Sequence, residues 1–222
     1  MARIARIVVP DCPHHVTQRG NRRQPTFFCD RDYRDYLELL AESCRRAGTA
    51  VWAYCLMPNH VHLVMVPDSE DGLRAALGEA HRRYTRRINL RHNWRGHLWQ
   101  ERFHSFPMDE HHLLAAVRYI ERNPLAAGLC ERAEQWRWSS ARAHIAGRDD
   151  VLVRTAPMLQ LVDDWRAYLG QASSDREIGE MQHHLCNGRP LGSADFVDTL
   201  EARLGRVLQR QQPGPKRRTT GN

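Results

Sequence analysis

Pro58-Asn59-His60-Val61-His62-Leu63-Val64-Met65-Val66 is the stretch whose reading decides the fold. A turn dipeptide precedes a β-branched apolar run, which reads as a strand. Alternate side chains of a strand share one face. His60 and His62 therefore point one way, and Val61, Leu63 and Met65 the other. Two imidazoles on one face can hold a divalent cation, yet a lone His-x-His is weak evidence for one. Its meaning depends on what the rest of the chain supplies.

Residues 51–57 are a second apolar run, so the two strands form a hairpin about Pro58-Asn59. Residues 4–9 and 15–19 read as an extended first strand region, followed by the polar turn Gly20-Asn21-Arg22-Arg23. Asp30 can cap a helix to about residue 47, with Tyr33, Tyr36, Leu37, Leu40 and Cys44 as its apolar stripe. A second helix covers 73–89 with Leu77 and Ile88 inward, and residues 98–106 read as a fourth strand. Asp109 caps a third helix with Leu113, Val117 and Ile120 on its apolar side. The first six elements run β-α-β-β-α-β. That order is an α+β, ferredoxin-like antiparallel sheet with two helices on one face. The third helix is then free to cover the other face, where the histidines can lie.

At 222 residues the chain is one medium domain with room for an appendage. The expected boundaries are a core over 1–145, a helical extension over 146–212 and a basic disordered tail over 213–222. Helical pieces are expected at 156–169, 175–185 and 193–209. No apolar run approaches the ~18–20 residues of a membrane span. The first residues lack a secretory apolar segment, so the expected location is the cytoplasm. Net charge is +7, almost all of it arginine, with Lys216 the single lysine. Such a balance suits a polyanionic partner such as nucleic acid. Six cysteines without a Cys-x-x-Cys pair argue against a zinc finger or a disulfide framework.

The third helix carries Arg118-Tyr119-Ile120-Glu121-Arg122-Asn123-Pro124. Tyr119 and Asn123 are four apart and share a helix face. Facing a histidine pair, they could complete a compact site of nucleophile, cation and three ligands. A blander reading also stands: Asn123 precedes proline and could cap a short helix ending at Gly128. Tyr119 could be a core aromatic. The pairs His14-His15, His111-His112 and His183-His184 are adjacent in sequence, and strand neighbours point to opposite faces, which makes them poorer metal pairs.

Met57-Pro58-Asn59-His60-Val61-His62-Leu63, Leu98-Trp99-Gln100-Glu101-Arg102-Phe103, the segment from Arg118 to Leu129, and Trp136-Arg137-Trp138-Ser139-Ser140 occur in that order. Together they resemble the single-tyrosine HUH transposases, in particular the REP-associated tyrosine transposases, over roughly residues 5–145. The resemblance implies an enzyme that cleaves and rejoins single-stranded DNA bearing hairpin or inverted repeats. It implies His60 and His62 as metal ligands, Tyr119 as the nucleophile that forms a 5′-phosphotyrosine, and Asn123 as a third ligand. The implied cofactor is a divalent metal, Mg2+ or Mn2+. The expected DNA-binding residues are Arg82, Arg83, Arg86, Arg102, Arg118 and Arg122, with Trp99 and Phe103 to stack on bases. Monomer and homodimer both fit. The rival readings are a non-cleaving DNA-binding regulator on the same fold, a relaxase or replication nuclease of the same superfamily, and an unrelated zinc hydrolase.

Overall fold

A computed structural model describes residues 5–209. The core runs β1 (His14–Arg19), α1 (Asp30–Arg46), β2 (Thr49–Met57), β3 (His60–Pro67), α2 (Gly72–His92), β4 (His104–Pro107) and α3 (Glu110–Ala126). Sheet order is β2-β3-β1-β4, antiparallel throughout. This is the expected ferredoxin-like arrangement, with β1 and β3 at its centre.

Strand parity sorts the side chains into two cores. Val16, Val61, Leu63 and Met65 pack with Tyr36, Leu40, Leu77 and Tyr84 of α1 and α2. Ala53, Cys55, Val64 and Phe106 pack with Val117 and Ile120 of α3. Since alternate residues share a face, His60 and His62 lie on the α3 side with Val64. The two-residue turn at Pro58-Asn59 fixes that register, pairing Met57 with His60 and Cys55 with His62.

The chain departs from the sequence expectation in four places. The fourth strand is His104–Pro107, shorter than residues 98–106. Upstream of it, Trp99 bridges only Gly20, and Glu101 turns the backbone at φ +54°. Residues 5–10 do not join the sheet. Ile7 and Val9 are buried against Leu200 and Leu208 instead. Asp30 opens α1 rather than capping it; Cys29 takes the cap position, and Asp32 accepts the amides of Phe28 at 2.8 Å and Cys29 at 3.2 Å. The helix expected at 156–169 is broken into α5 (Ala156–Leu159) and α6 (Trp165–Gly170), because Asp164 starts a new helix by accepting the Ala167 amide at 2.9 Å.

The remaining helices are α4 (Ala141–Ala146), which periodicity did not reveal, α7 (Asp175–Asn187) and α8 (Ala194–Leu204). Met158, Trp165, Leu169, Met181 and Leu191 join the α3-side core. The C-terminal half also meets both outer strands. Leu56 N donates to Trp138 O at 2.8 Å and Arg154 N to Val51 O at 2.8 Å, while Leu191 N donates to Pro107 O at 2.9 Å. Among the described residues no helix is long and apolar enough to cross a membrane. The basic tail 213–222 lies outside the described residues.

Candidate active site

α3 continues through Asn123-Pro124 rather than stopping for a cap. Pro124 has no N–H to offer the carbonyl one turn back. The helix nevertheless survives one more turn, then closes with Gly128 at φ +68° and Leu129 N donating to Pro124 O at 2.9 Å. Tyr119 and Asn123 are therefore on one helical face, a turn apart. α3 lies across β2 and β3, and this brings Tyr119 over the histidines. The Tyr119 ring centre is 5.6 Å from that of His62, and the His60 and His62 rings are 5.0 Å apart. The structure thus gathers His60, His62 and Tyr119 at one place, with Asn123 next along the helix.

The outer shell of this cluster leaves particular atoms open. His60 Nδ1 donates to Asn59 Oδ1 at 2.7 Å. His62 Nδ1 lies 3.1 Å from His15 Nε2. With Nδ1 as the donor in both rings, both Nε2 atoms keep a lone pair, and neither has a hydrogen bond among the described residues. Asn123 Nδ2 donates to Tyr119 O at 3.1 Å, which leaves its Oδ1 as a potential ligand atom. Two neutral imidazoles and an amide oxygen are a donor set that a divalent cation accepts. Among the described residues no group of three or more His, Cys, Asp and Glu could hold a metal ion.

Burial keeps the rings neutral. It pushes His60 down to about 4, with the nearby Arg19 charge adding to the effect. His15 is pushed down to about 3 by burial. His62 is held well below the ordinary imidazole range by burial, then by His15, His60 and Arg19.

Three contributors escaped the sequence reading. His15 sits on β1 opposite Val64 and meets His62 edge to edge from the neighbouring strand. Its membership of an adjacent pair hid it, since only its partner His14 points to the other core. Arg19 lies opposite His60 in the ladder. Glu121 is fully buried on α3, two residues from Tyr119. Its carboxylate accepts Ser140 Oγ at 2.5 Å, His144 Nδ1 at 2.6 Å and Trp165 Nε1 at 2.8 Å.

The residues expected to touch DNA are divided between two faces. Arg82, Trp99, Arg102 and Phe103 line a single groove of about 500 Å3 beside α2. Trp99 and Phe103 are each only 8% exposed. Trp99 stacks on His81 at 4.6 Å, and Arg6 covers the Phe103 ring at 3.6 Å, so neither ring presents a free face for a base. Arg82 and Arg83 are paired with Glu79 and Glu42, each at 2.8 Å, whereas Arg86 is exposed. All three project from the helix on the far side of the sheet from Tyr119. Arg118 is bound to Glu177 at 2.7 Å and Arg122 to the Leu169 carbonyl, so both brace α3 against the C-terminal helices.

Residues 8–123 match the family described as Transposase IS200 like. The chain belongs to the IS200-like transposase family. It is 26% identical over 110 residues to a candidate REP-associated tyrosine transposase of Haemophilus influenzae, covering 45% of this chain and 62% of that protein's length. A solved REP-associated tyrosine transposase bound to a REP hairpin superposes with a TM-score of 0.58 at 19% identity, over 69% of this chain and 92% of that one. A candidate transposase from Deinococcus radiodurans R1 aligns at TM-score 0.38 and 23% identity, over 55% and 97% respectively. The superposition on the hairpin-bound structure supports the fold described above.

Proposed function

We propose that this IS200-like transposase cleaves and rejoins single-stranded DNA at hairpin repeats through a covalent 5′-phosphotyrosine on Tyr119. The observation that carries this reading is the Tyr119 ring 5.6 Å from His62, on the sheet face that also bears His60. A phosphodiester resists nucleophiles because its charge repels them. The Tyr119 hydroxyl attacks phosphorus in line, the bond to the 3′ oxygen breaks, and the phenolic proton is lost as the departing 3′ oxygen gains one. The phosphodiester energy is kept in the tyrosyl ester, so another 3′-hydroxyl can reverse the step and join new ends. His60, His62 and Asn123 would hold a divalent metal, Mg2+ or Mn2+, which when bound polarises a nonbridging phosphate oxygen and offsets the developing charge. Asn59 and His15 keep the two imidazoles aimed, and Arg19 adds positive charge for the phosphate.

The test uses a hairpin oligonucleotide with unpaired flanks and the same sequence as full duplex, each with manganese. The parent should form a denaturation-resistant protein–DNA adduct on the hairpin and little on the duplex. Tyr119→Phe should abolish the adduct and leave binding within about threefold, because only the hydroxyl is removed. An adduct that persists in Tyr119→Phe, or faster cutting of the duplex, would refute the proposal.

A further inference from the structure

The two aromatics expected to stack on bases are buried, yet an aromatic cluster lies open elsewhere. Phe28 and Trp94 are 38% and 47% exposed, and the partly exposed His92 lies between them. His92 and Trp94 stack at 4.6 Å and 26°, and Phe28 is 4.8 Å from His92 and 5.6 Å from Trp94. These rings are not members of the core, which holds its own aromatics Phe27, Tyr36 and Tyr84.

The cluster is held rigid from below. Asp32 receives Arg91 through both guanidinium nitrogens, at 2.5 and 2.8 Å, and also accepts the Phe28 amide at 2.8 Å. Arg91 in turn donates to His92 Nε2 at 3.3 Å. Asn93 closes α2 at φ +53°, and Trp94 N donates to Asn89 O at 2.8 Å. One buried carboxylate thus fixes the ends of both helices that carry the rings. Rings set in advance lose little freedom when a ligand stacks on them.

Exposed arginines flank the rings in the chain, and the loop carrying two of them borders the candidate active site. Arg22, Arg23 and Arg95 are exposed and make no ion pair among the described residues. Arg22 and Arg23 are both left-handed, at φ +55° and +61°, a conformation that non-glycine residues adopt at a cost and that collects at functional sites. The same loop is stitched to the turn before His60. Asn59 Nδ2 donates to Arg23 O at 3.0 Å, Thr26 N to Pro58 O at 2.8 Å and Phe27 N to Pro58 O at 3.3 Å.

We propose that Phe28, His92 and Trp94 form a stacking platform for unpaired bases of single-stranded DNA, with Arg22, Arg23 and Arg95 taking its phosphates. Aromatic faces accept any base, and cationic side chains beside them track the backbone. The site rests on the proposed DNA-processing function and adds a second contact, on the loop that borders the His60 turn.

The test measures fluorescence anisotropy of a blunt hairpin and of the same hairpin carrying ten unpaired thymidines, together with adduct formation. Phe28→Ala/Trp94→Ala should bind the tailed hairpin about 10- to 100-fold more weakly and the blunt one unchanged. Trp94→Phe, which keeps a ring, should stay within about threefold of the parent. An iodouracil tail should crosslink to the peptide bearing Trp94. Thermal melts of all variants should match the parent, since both rings sit at the surface. Unchanged tail affinity in the double variant of a protein that still forms the adduct overturns the platform alone. An equal loss on the blunt hairpin overturns base stacking, and absence of any single-strand binding by the parent overturns both readings.

Discussion

At the scale of single residues, the proposed ligand His62 rests its Nδ1 against His15 Nε2. A ligand imidazole is aimed by the hydrogen bond of its other nitrogen, and losing that bond typically weakens metal binding about 10- to 100-fold. Among the described residues His15 Nδ1 is buried without a partner, and the ring's one polar contact there is the 3.1 Å bond to His62. Replacement by leucine removes that contact and fills the same apolar space beside Phe106. His15→Leu should therefore stay folded and bind Mn2+ about 10- to 100-fold more weakly by calorimetric titration. Affinity equal to the parent would show that His62 needs no such support. The pairing of His60 with His62, and of Tyr119 with Asn123, was legible from periods of two and four. His15 was not, because contact between strands depends on a register that no local pattern encodes.

At the scale of elements, the third helix is held by its outer side. Glu121 is a buried carboxylate with three donors, and burial of such a group is tolerable only when it is fully paired. Its donors come from residues 140, 144 and 165, so the roll angle of α3 is set by chain that follows it. Arg118 with Glu177 and Arg122 with the Leu169 carbonyl act in the same sense. Glu121→Ala strands His144 Nδ1 and Trp165 Nε1, while Ser140 Oγ keeps the Tyr54 carbonyl at 3.2 Å, and should cost about 3–5 kcal/mol. Calorimetry should show a fall in Tm on the order of 10 °C for a protein of this size. A Tm within about 2 °C of the parent would mean that the helix is held by its apolar face alone. The sequence pointed to the apolar face through Leu113, Val117 and Ile120. It could not show that the neighbouring charges turn inward, because Arg118, Glu121 and Arg122 look like an ordinary solvated face until the later helices are in place.

For the whole molecule, the buried histidines set the acid limit. His14 Nδ1 donates to Cys12 O at 2.7 Å while its Nε2 accepts from Val9 N at 3.1 Å, so protonation would destroy one bond. Burial pushes His14 down to about 4 and His81 to about 3. Unfolded imidazoles take up protons near ~6.5. Between those values the unfolded chain binds more protons than the folded one, so the stability these groups contribute is complete above about pH 6.5 and is lost as pH falls toward about 4. Each contributes a slope of up to about 1.4 kcal/mol per pH unit in that window. Thermal melts should show Tm dropping steadily from pH 7 to pH 5, well before carboxylates titrate. A flat Tm over that range would contradict the neutral assignment of both rings. Sequence periodicity reached the βαββαβ order because each element carries its own apolar stripe. It also placed α7 and α8 near their observed bounds, and it missed α4 and the break between α5 and α6 because four to six residues are too few to show a helical period.

The backbone contacts of the C-terminal half with β2 and β4 have a consequence for assembly. An open sheet invites a neighbour to continue it, since its outermost strands offer unpaired amides and carbonyls. Here the Val51, Tyr54 and Leu56 backbone is met by residues 138, 140 and 154, and Pro107 is met by Leu191. A second copy could not graft its own strand along β2 without first peeling those segments away. The outer side of β2 is thus already occupied by the chain's own later segments, while β4 is met at its last residue, Pro107.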